Sequence, residues 1–292
     1  MKRVMTAVAS MSMLVIITVT PSRASESAVI VAVGDIAQKN GYQAQTAALA
    51  QRIDPSQILL LGDLAYYQGS AMQFATYFAP TWGALANRTW AVPGNHEYGT
   101  TNANGYRAYA RSNNWPMQSD GALWWDRNIN NSNWAVIGLN SEVLAGKAGA
   151  RQIAFLKAAL TRHNGQPTIV MWHRPRFSQG LHGDNQNTSP LWQVIKKDPD
   201  VKIVLWGHDH NFQDRRFVVS PVGAPKRYLD TFVVGTGGAE LRLCKVPSRP
   251  PSLLCGADNF GVLKLTLNTN SYTWQFVHVD DAVAASGNRS FS

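Results

Sequence analysis

Side chains of the kinds that bind metal ions recur just after short apolar stretches of this sequence. They fall into five segments, which in chain order are Gly34-Asp35, Gly62-Asp63-Leu64-Ala65-Tyr66, Gly94-Asn95-His96-Glu97, Trp172-His173 and Gly207-His208-Asp209-His210. Carboxylate, phenol and amide oxygens combined with imidazole nitrogens form a ligand set that suits iron, zinc or manganese ions. Two such ions held close together activate water for hydrolysis. The segments therefore predict a two-metal hydrolytic site.

The apolar stretches before these segments predict the elements that position the candidate ligands. Each is short and continuously apolar, as expected for a buried strand of a parallel sheet. The stretches are residues 29–33, 58–61, 90–92, 168–171 and 202–206. Loops that leave the carboxyl ends of such strands converge on one crevice while the strands stay rigid. Glycines directly before Asp35, Asp63, Asn95 and His208 allow sharp turns and a close approach of the backbone.

Each candidate also has an ordinary structural explanation when it is taken alone. Gly-Asp is common in turns, Asn95 could cap a helix, and a lone histidine such as His173 is more often hydrogen-bonded in a core. Tyr66 alone could be a half-buried aromatic residue. On an extended segment His208 and His210 would point the same way, which favours a shared site. It is the ordered set of five segments that indicates a dinuclear centre.

The order of these segments resembles that of the calcineurin-like metallophosphoesterases, whose pattern runs G-D-x-H, G-D-x-x, G-N-H-[DE], a lone His and G-H-x-H. All five blocks are present, but Ala37 stands where most of the superfamily has a metal-binding histidine. Tyr66 follows Asp63 by three residues, and G-D-x-x-Y distinguishes the purple acid phosphatase branch, in which tyrosinate replaces that histidine. The loss and its replacement coincide, so the resemblance is to that branch.

This resemblance implies a ligand role for each matching residue. The first metal ion would be held by Asp35, Asp63, Tyr66 and His210, with Asp63 bridging to a second ion that is also held by Asn95, His173 and His208. Carboxylate plus phenolate suits Fe(III), whereas an amide and two imidazoles suit Zn(II), Fe(II) or Mn(II). A phenol with a free pKa of about 10 needs a strong Lewis acid to ionise near neutral pH. The resemblance therefore implies a dinuclear centre of Fe(III) with a divalent ion.

The resemblance implies that two further residues contact the substrate, and Arg174 is a separate candidate. In the family the residue that matches His96 stabilises the phosphate beside the metals. Purple acid phosphatases place a substrate-facing histidine nine residues after the lone histidine, which is His182 here, and it would protonate the departing alkoxide. Gly183 departs from the plant-type pattern, which has a second histidine there, so the preference for monoesters stays open. Arg174 would either contact an anionic substrate or pair with an acid.

Other catalytic chemistries lack their motifs in this sequence. We find no G-x-S-x-G elbow, no Walker A loop and no G-x-G-x-x-G fingerprint. His163 and His278 have no motif context and are interpreted as structural. The resemblance thus implies in-line hydrolysis of a phosphate ester by a metal-activated water, without a protein nucleophile.

The N-terminus and the two cysteines predict export. Residues 1–24 combine basic residues, an apolar stretch and a small-residue site, as a cleaved secretory signal peptide does, and the apolar stretch is too short to span a membrane. Cys244 and Cys255 flank a Pro-rich excursion and are predicted to form a disulfide, with two buried thiols as the alternative. We therefore expect a secreted or periplasmic protein.

Length and charge limit the partners that can be expected. The chain has 292 residues, of which 45% are hydrophobic, which suits one catalytic domain over residues 25–292. Its formal charge is +9, or +6 without the three basic residues of the predicted signal peptide, and this excess favours anionic substrates. The basic residues are scattered, so no specific nucleic-acid binding is inferred. The expected partners are phosphorylated small molecules, and the oligomeric state is left open.

The predicted fold class is α/β. Helical spacing is expected at 42–52, 71–86 and 150–163, and strands are expected at 231–234, 261–267 and 273–279. The tail after Asp281, rich in Ala, Ser and Gly, is predicted to fray. The resemblance implies two facing mixed β-sheets flanked by helices, a four-layer α/β/β/α sandwich.

The sequence is thus interpreted as an exported, dinuclear metal-dependent phosphomonoesterase. Two alternatives remain. One is a phosphodiesterase with the same metal site. The other is a non-catalytic binding protein that keeps its metals for stability and binds through Trp-rich loops with Trp115, Trp124 and Trp125, although tryptophans of this kind are more often buried in a core.

Overall fold

A computed structural model describes residues 27–220, 223, 225–245, 254–256 and 258–291. Its helices are α1 (Gln43–Ile53), α2 (Ala71–Gln73), α3 (Asn104–Ser112), α4 (Gly146–Arg162) and α5 (Ser189–Ile195). Its strands are β1 (Ala28–Val33), β2 (Gln57–Leu60), β3 (Thr89–Ala91), β4 (Trp125–Asn128), β5 (Ala135–Gly138), β6 (Thr168–Met171), β7 (Val201–Trp206), β8 (Phe212–Val219), β9 (Arg227–Val234), β10 (Leu254–Gly256), β11 (Gly261–Leu267), β12 (Ser271–His278) and β13 (Val283–Ser290). The predicted signal peptide, residues 1–24, lies outside the described residues.

The described strands form two mixed sheets. The first sheet has six strands in the order β13-β12-β11-β1-β2-β3, and the second has seven in the order β10-β8-β9-β7-β6-β5-β4. In the first sheet β1, β2 and β3 are parallel and β11 runs antiparallel to β1. In the second, β5, β6, β7 and β9 are parallel. The parallel strands of both sheets carry the predicted ligand segments at their ends.

The alternation of side chains between the two faces of each strand explains why the sheets face each other. In β6, Ile169 and Met171 belong to the core between the sheets, whereas Val170 belongs to the core beneath α4 and α5. The side chains of a strand alternate between faces, so a strand that is apolar throughout must be covered on both sides. Helix α1 packs on β11 at the far side of the first sheet. The predicted four-layer α/β/β/α arrangement is confirmed.

The predicted helix at 71–86 is wrong in its extent. Only Ala71–Gln73 is α-helical, followed by a π-helical turn at Phe74–Phe78 and a 3-10 helix at Trp82–Arg88. Pro80 lies between these last two segments, and proline has no N–H to donate to a helical hydrogen bond.

The predicted fraying of the tail is also wrong. Strand β13 pairs antiparallel with β12 from Ser271 opposite Ser290 to Phe276 opposite Ala285. Main-chain pairing does not require large side chains, and a Cβ at Gly287 would lie 2.5 Å from Nε1 of Trp274. The small residues therefore let the tail lie close to the Trp274 indole.

Two further expectations can be compared with the structure. Cys244 and Cys255 form a disulfide with a Cα separation of 6.2 Å, as predicted. Trp115, Trp124 and Trp125 are buried, so they offer no exposed Trp-rich surface. Within the described part of the chain, no helix is long and apolar enough to cross a membrane.

Candidate metal centre

The strand ends bring the predicted ligands together from both sheets. Asp35, Asp63 and Asn95 follow β1, β2 and β3, while His173 follows β6 and His208 and His210 follow β7. The φ angles of Asp35, Asp63 and His208 are 59°, 52° and 71°. This left-handed conformation turns the chain sharply at the end of each strand. The backbone N–H of His208 donates to Oδ2 of Asp35 at 2.8 Å, which joins the two sheets at the site.

Two glycines make this close approach possible. Gly62 has a φ of 90°, and a Cβ there would lie 2.7 Å from Nδ1 of His173. At Gly94 a Cβ would lie 2.2 Å from Oδ1 of Asp63. Both separations are shorter than van der Waals contact, so any side chain at either position would displace a candidate ligand.

The first group of donor atoms comprises Asp35, Tyr66 and His210. The hydroxyl of Tyr66 lies 2.9 Å from Oδ1 of Asp35 and 3.1 Å from Nε2 of His210. That Nε2 lies 3.3 Å from the same oxygen of Asp35. Tyr66 also donates its backbone N–H to the carbonyl of Ala37 at 2.8 Å, so it lies beside the position where the family usually has a histidine. The tyrosine is therefore placed to replace that side chain.

The second group comprises Asp63, Asn95, His173 and His208. Nε2 of His173 lies 3.0 Å from Oδ2 of Asp63, 3.2 Å from Oδ1 of Asn95 and 3.2 Å from Nδ1 of His208. The donor atoms of Asp63, His173 and His208 all lie within 4.8 Å of one another, and these three side chains are buried. The structure thus brings together both predicted ligand groups.

The donor sets fit metal ions in spacing and orientation. Atoms that bind one ion at about 2.0–2.2 Å are themselves about 3 Å apart, as the atoms of each group are. Nδ1 of His173 is hydrogen-bonded to the carbonyl of Leu61 at 2.8 Å, and Nδ1 of His210 to that of Glu240 at 2.5 Å. Because a carbonyl only accepts, Nδ1 carries a proton, and Nε2 is the ring nitrogen that faces the neighbouring oxygens. This carbonyl contact is the usual one for a metal-binding histidine.

Charge is balanced within the site by neighbouring side chains. Burial alone would raise the pKa of Asp63, but His173 and His96 hold it below its usual range. Burial disfavours the charged form of His173, yet Asp63 raises its pKa to about 10. Burial and the charges of Asp35 and Asp63 raise the pKa of Tyr66 well above its ordinary value. The phenol therefore needs a cation beside it to ionise near neutral pH.

Glu97 holds two of the three ligand loops of the first sheet, those after β2 and β3. Its buried carboxylate accepts backbone N–H groups of Asp63 at 2.9 Å, Leu64 at 2.8 Å and Gly94 at 2.7 Å. Burial and the charge of Asp63 raise the pKa of Glu97 to about 7, while the N–H groups of Gly94 and Leu64 act in the opposite direction. The carboxylate thus orients both loops.

The predicted substrate residues lie at the same edge. The ring of His96 is 4.3 Å from that of Tyr66, and its Nε2 is 3.8 Å from Oδ2 of Asp63. The ring of His182 stacks on that of His208 with centroids 4.2 Å apart. Arg174 lies 3.1 Å from Nε2 of His208, but its Nε donates to both carboxylate oxygens of Glu142, at 2.9 and 3.0 Å. Of the two roles considered for Arg174, the geometry favours pairing with an acid.

Sequence reasoning missed three residues that contact the site. Asp209 accepts the backbone N–H of His182 at 2.8 Å and the hydroxyl of Ser178, which fixes the loop that carries His182. Glu142 neutralises the charge of Arg174. Arg242 places Nη1 3.0 Å from Nε2 of His182. Asp209 lies within a recognised segment, but no pattern in the sequence marked Glu142 or Arg242.

The other histidines lie in structural positions. His163 contacts Asp126 and Gln166, each at 2.8 Å, and His278 ends β12.

Burial lowers the pKa of His182, and the charge of Arg242 acts in the same direction while Asp209 opposes it. His182 is therefore biased towards the neutral ring, which weakens its predicted role as a leaving-group acid.

Two facing mixed sheets with grouped oxygen and nitrogen donors at their strand ends are the framework of a metal-dependent phosphoesterase. The family model described as calcineurin-like phosphoesterase matches residues 28–212, more than half of the chain, and the protein belongs to that family.

Individual relatives agree with this assignment. A 3′,5′-cyclic-nucleotide phosphodiesterase of Nostoc sp. is 32% identical over 107 residues, which cover 34% of this chain and 40% of that protein. The match therefore spans less than half of the relative's length. A purple acid phosphatase from yellow lupin superimposes with a TM-score of 0.72 at 19% identity, over 92% of this chain and 55% of that one. GAP50, the anchor in the inner membrane complex of Plasmodium, superimposes with a TM-score of 0.67 at 15% identity, over 91% of this chain and 89% of that one. At such identities the structural likeness shows the fold.

Proposed function

We propose that this protein is an exported phosphomonoesterase with a dinuclear metal centre. The observation that carries the proposal is the pair of donor groups, one around Asp35, Tyr66 and His210 and the other around Asp63 and His173. A phenol in the first group and an amide in the second give the groups different ligand chemistry, which suits a trivalent ion in one and a divalent ion in the other. Fe(III) with Zn(II), Fe(II) or Mn(II) is the proposed pair.

Asp63 is proposed to serve both groups. It contacts His173 directly, and its charge also raises the pKa of Tyr66 in the other group. When bound, the two ions would polarise the oxygens of a phosphate ester and acidify a water molecule. The chain itself contributes the rigid placement of the ligands, because Glu97 fixes the loops of Asp63 and Asn95 before any substrate arrives.

His96 and His182 are proposed to contact the substrate. Nδ1 of His96 is bound to the carbonyl of Tyr67 at 2.5 Å, which leaves Nε2 directed at the site, and its side chain is 28% exposed. Protonated at Nε2, it would donate a hydrogen bond to a phosphate oxygen as charge builds there. His182 lies over His208 and would meet the departing part of the ester.

Export is proposed from two features. The N-terminal residues 1–24 have the pattern of a secretory signal, and the disulfide between Cys244 and Cys255 suits an oxidising compartment. The protein would act outside the cytoplasm, in the periplasm or beyond the cell.

A phosphodiesterase is the second candidate. It is supported by the cyclic-nucleotide phosphodiesterase among the relatives, although the match covers only part of that protein. The same pair of ions can serve both ester types, because each reaction needs an activated water and charge stabilisation on phosphorus.

The test is hydrolysis of p-nitrophenyl phosphate and of bis(p-nitrophenyl) phosphate by the mature protein loaded with iron and zinc, between about pH 4 and pH 10. We expect the monoester to be hydrolysed with the larger kcat/KM. Asp63→Asn and His208→Ala should each lower kcat/KM by at least about 100-fold, because each removes a ligand from the buried donor group. Metal content, measured by mass spectrometry, should fall with them.

His278→Ala is the matched control, since it removes an imidazole from β12 without touching either donor group. Wild-type rates in Asp63→Asn and His208→Ala would contradict the proposed site. A larger kcat/KM for the diester would select the second candidate. If the metal-loaded protein leaves both esters intact, the interpretation as a non-catalytic binding protein would replace the proposed enzymatic function.

A further inference from the structure

Two arginines lie beside the candidate centre, and they differ in their partners. The guanidinium of Arg174 is neutralised by Glu142, which accepts its Nε at 2.9 and 3.0 Å. Arg242 instead places Nη1 3.0 Å from Nε2 of His182, a neutral acceptor when the ring is uncharged. Among the described residues no carboxylate pairs with Arg242, and the sequence from 246 to 253 contains no acid. Among the described residues its positive charge therefore has no ion-pair partner at the edge of the site.

The main chain around Arg242 is held against the metal ligands. Its backbone N–H donates to the carbonyl of His210 at 2.8 Å, and its carbonyl accepts from Nδ2 of Asn211 at 3.2 Å. Two residues later, Cys244 is joined to Cys255 on β10. An arginine whose backbone is fixed in this way loses less conformational entropy when it binds a ligand than one on a free loop.

The partner of Arg242 is equally well fixed. His182 is stacked on His208, and its backbone N–H is bound to Asp209 at 2.8 Å. Lys245, on the segment of Arg242, donates its backbone N–H to the carbonyl of Gln179 at 2.8 Å, on the loop of His182. The two segments thus form one wall of the site, with a guanidinium group and an imidazole at its inner end.

We propose that Arg242 binds a non-bridging oxygen of the substrate phosphate and thereby selects terminal phosphates over diesters. A monoester carries up to two negative charges on three non-bridging oxygens, whereas a diester carries one charge on two. An additional fixed guanidinium donates to a phosphate oxygen at short range and favours the more highly charged ester. This inference rests on the proposed phosphohydrolase function and names its substrate class as the dianionic phosphomonoester.

The test compares Arg242→Gln and Arg242→Lys with the wild-type holoenzyme. We expect Arg242→Gln to weaken the binding of inorganic phosphate, measured by isothermal titration calorimetry, by about 10- to 100-fold. Its kcat/KM for p-nitrophenyl phosphate should fall by a similar factor, but that for bis(p-nitrophenyl) phosphate by less than about 5-fold. Arg242→Lys should recover part of the loss, because it keeps the charge without the planar fork.

Leu243→Gln is the matched control, because Leu243 is the next residue of the same segment and is 80% exposed. It should leave phosphate binding and the kcat/KM for both esters unchanged. Unchanged phosphate affinity in Arg242→Gln would overturn the inference, as would an equal loss on both esters. The calorimetry decides on Arg242 even if the wild type cleaves neither ester, so failure of this inference and failure of the proposed function can be told apart.

Discussion

Tyr66 is proposed to compensate for the loss of a metal-binding histidine. Its hydroxyl lies between Asp35 and His210, and its backbone is hydrogen-bonded to Ala37, which stands where related proteins have a histidine. A buried phenol next to carboxylates is costly to ionise, so its ionised form depends on a cation in the first donor group. This dependence makes the proposed ligand role measurable.

Replacing Tyr66 by phenylalanine tests that role through colour. If tyrosinate binds Fe(III), the iron-loaded wild type absorbs visible light and Tyr66→Phe loses the band while it retains iron. Absorption spectra and iron content would be measured together. Tyr67→Phe is the control, because Tyr67 is the next residue and is 65% exposed. A visible band that persists in Tyr66→Phe with iron bound would remove Tyr66 from the ligand set.

At the scale of secondary-structure elements, an ion-pair cluster attaches the end of α4 to strand β4. Asp126 of β4 accepts Nη2 of Arg162 at 2.8 Å and contacts Nε2 of His163 at 2.8 Å. Its side chain is 17% exposed, so solvent screens the cluster only in part. Burial would raise the pKa of Asp126, but Arg162 and His163 outweigh it and hold the pKa below its usual value. The helix beneath the second sheet is thus positioned partly by charge.

Asp126→Asn should therefore destabilise the protein in a pH-dependent way. Because the folded carboxyl binds its proton less readily than the unfolded one, its stabilisation is present above the unfolded pKa and is lost as the pH falls through the folded pKa. We expect the variant to lose about 1–2 kcal/mol of unfolding free energy at pH 7 and progressively less in acid. Urea unfolding at several pH values would measure this.

Asp120→Asn is the matched control, since Asp120 pairs with Arg151 at an exposed site. It should change the unfolding free energy less than Asp126→Asn does at neutral pH. A pH-independent difference between Asp126→Asn and the wild type would contradict the role of charge.

The whole molecule depends on the contact between the two sheets, which is mostly apolar but also includes a buried polar link far from the donor groups. Asp230 of β9 accepts the hydroxyl of Tyr272 on β12 and lies 3.3 Å from Nε of Arg289 on β13. It also accepts Nε of Arg216 on the neighbouring strand β8 at 2.9 Å. One carboxylate therefore joins both sheets at the end of β9 away from the metal centre.

Removing this carboxylate should lower the unfolding free energy more than removing one of its hydrogen bonds. We expect Asp230→Ala to lower the unfolding free energy by about 2–4 kcal/mol, because it leaves two guanidinium groups without their partner. Tyr272→Phe, the matched control, deletes one hydroxyl and should cost about 1 kcal/mol. Chemical denaturation would compare them, and equal losses would show that the arginines contribute nothing.

Local signals in the chain were sufficient for much of the fold. Continuous apolar stretches that end at Asp35, Asp63 or His173 depend only on neighbouring residues, and they correspond to strands in the structure. Where local signals misled, either a proline inside the segment or pairing with another strand decided the outcome. Pro80 broke an apparently helical pattern, and pairing with β12 ordered a tail whose composition suggested fraying.

The sequence by itself determined the order of strands and candidate ligands, the family, and the exchange of a histidine for Tyr66, because each is written in short, contiguous patterns. Only the tertiary structure decided which distant side chains meet. Asp35 and His208 are 173 residues apart, and His182 and Arg242 are 60 apart. Such contacts arise from sheet pairing and from the Cys244–Cys255 disulfide, which bring together segments that have no common local pattern. For the same reason two features could be recognised only in the folded chain: the pairing of Arg174 with Glu142, and the lack of a carboxylate partner for Arg242 among the described residues.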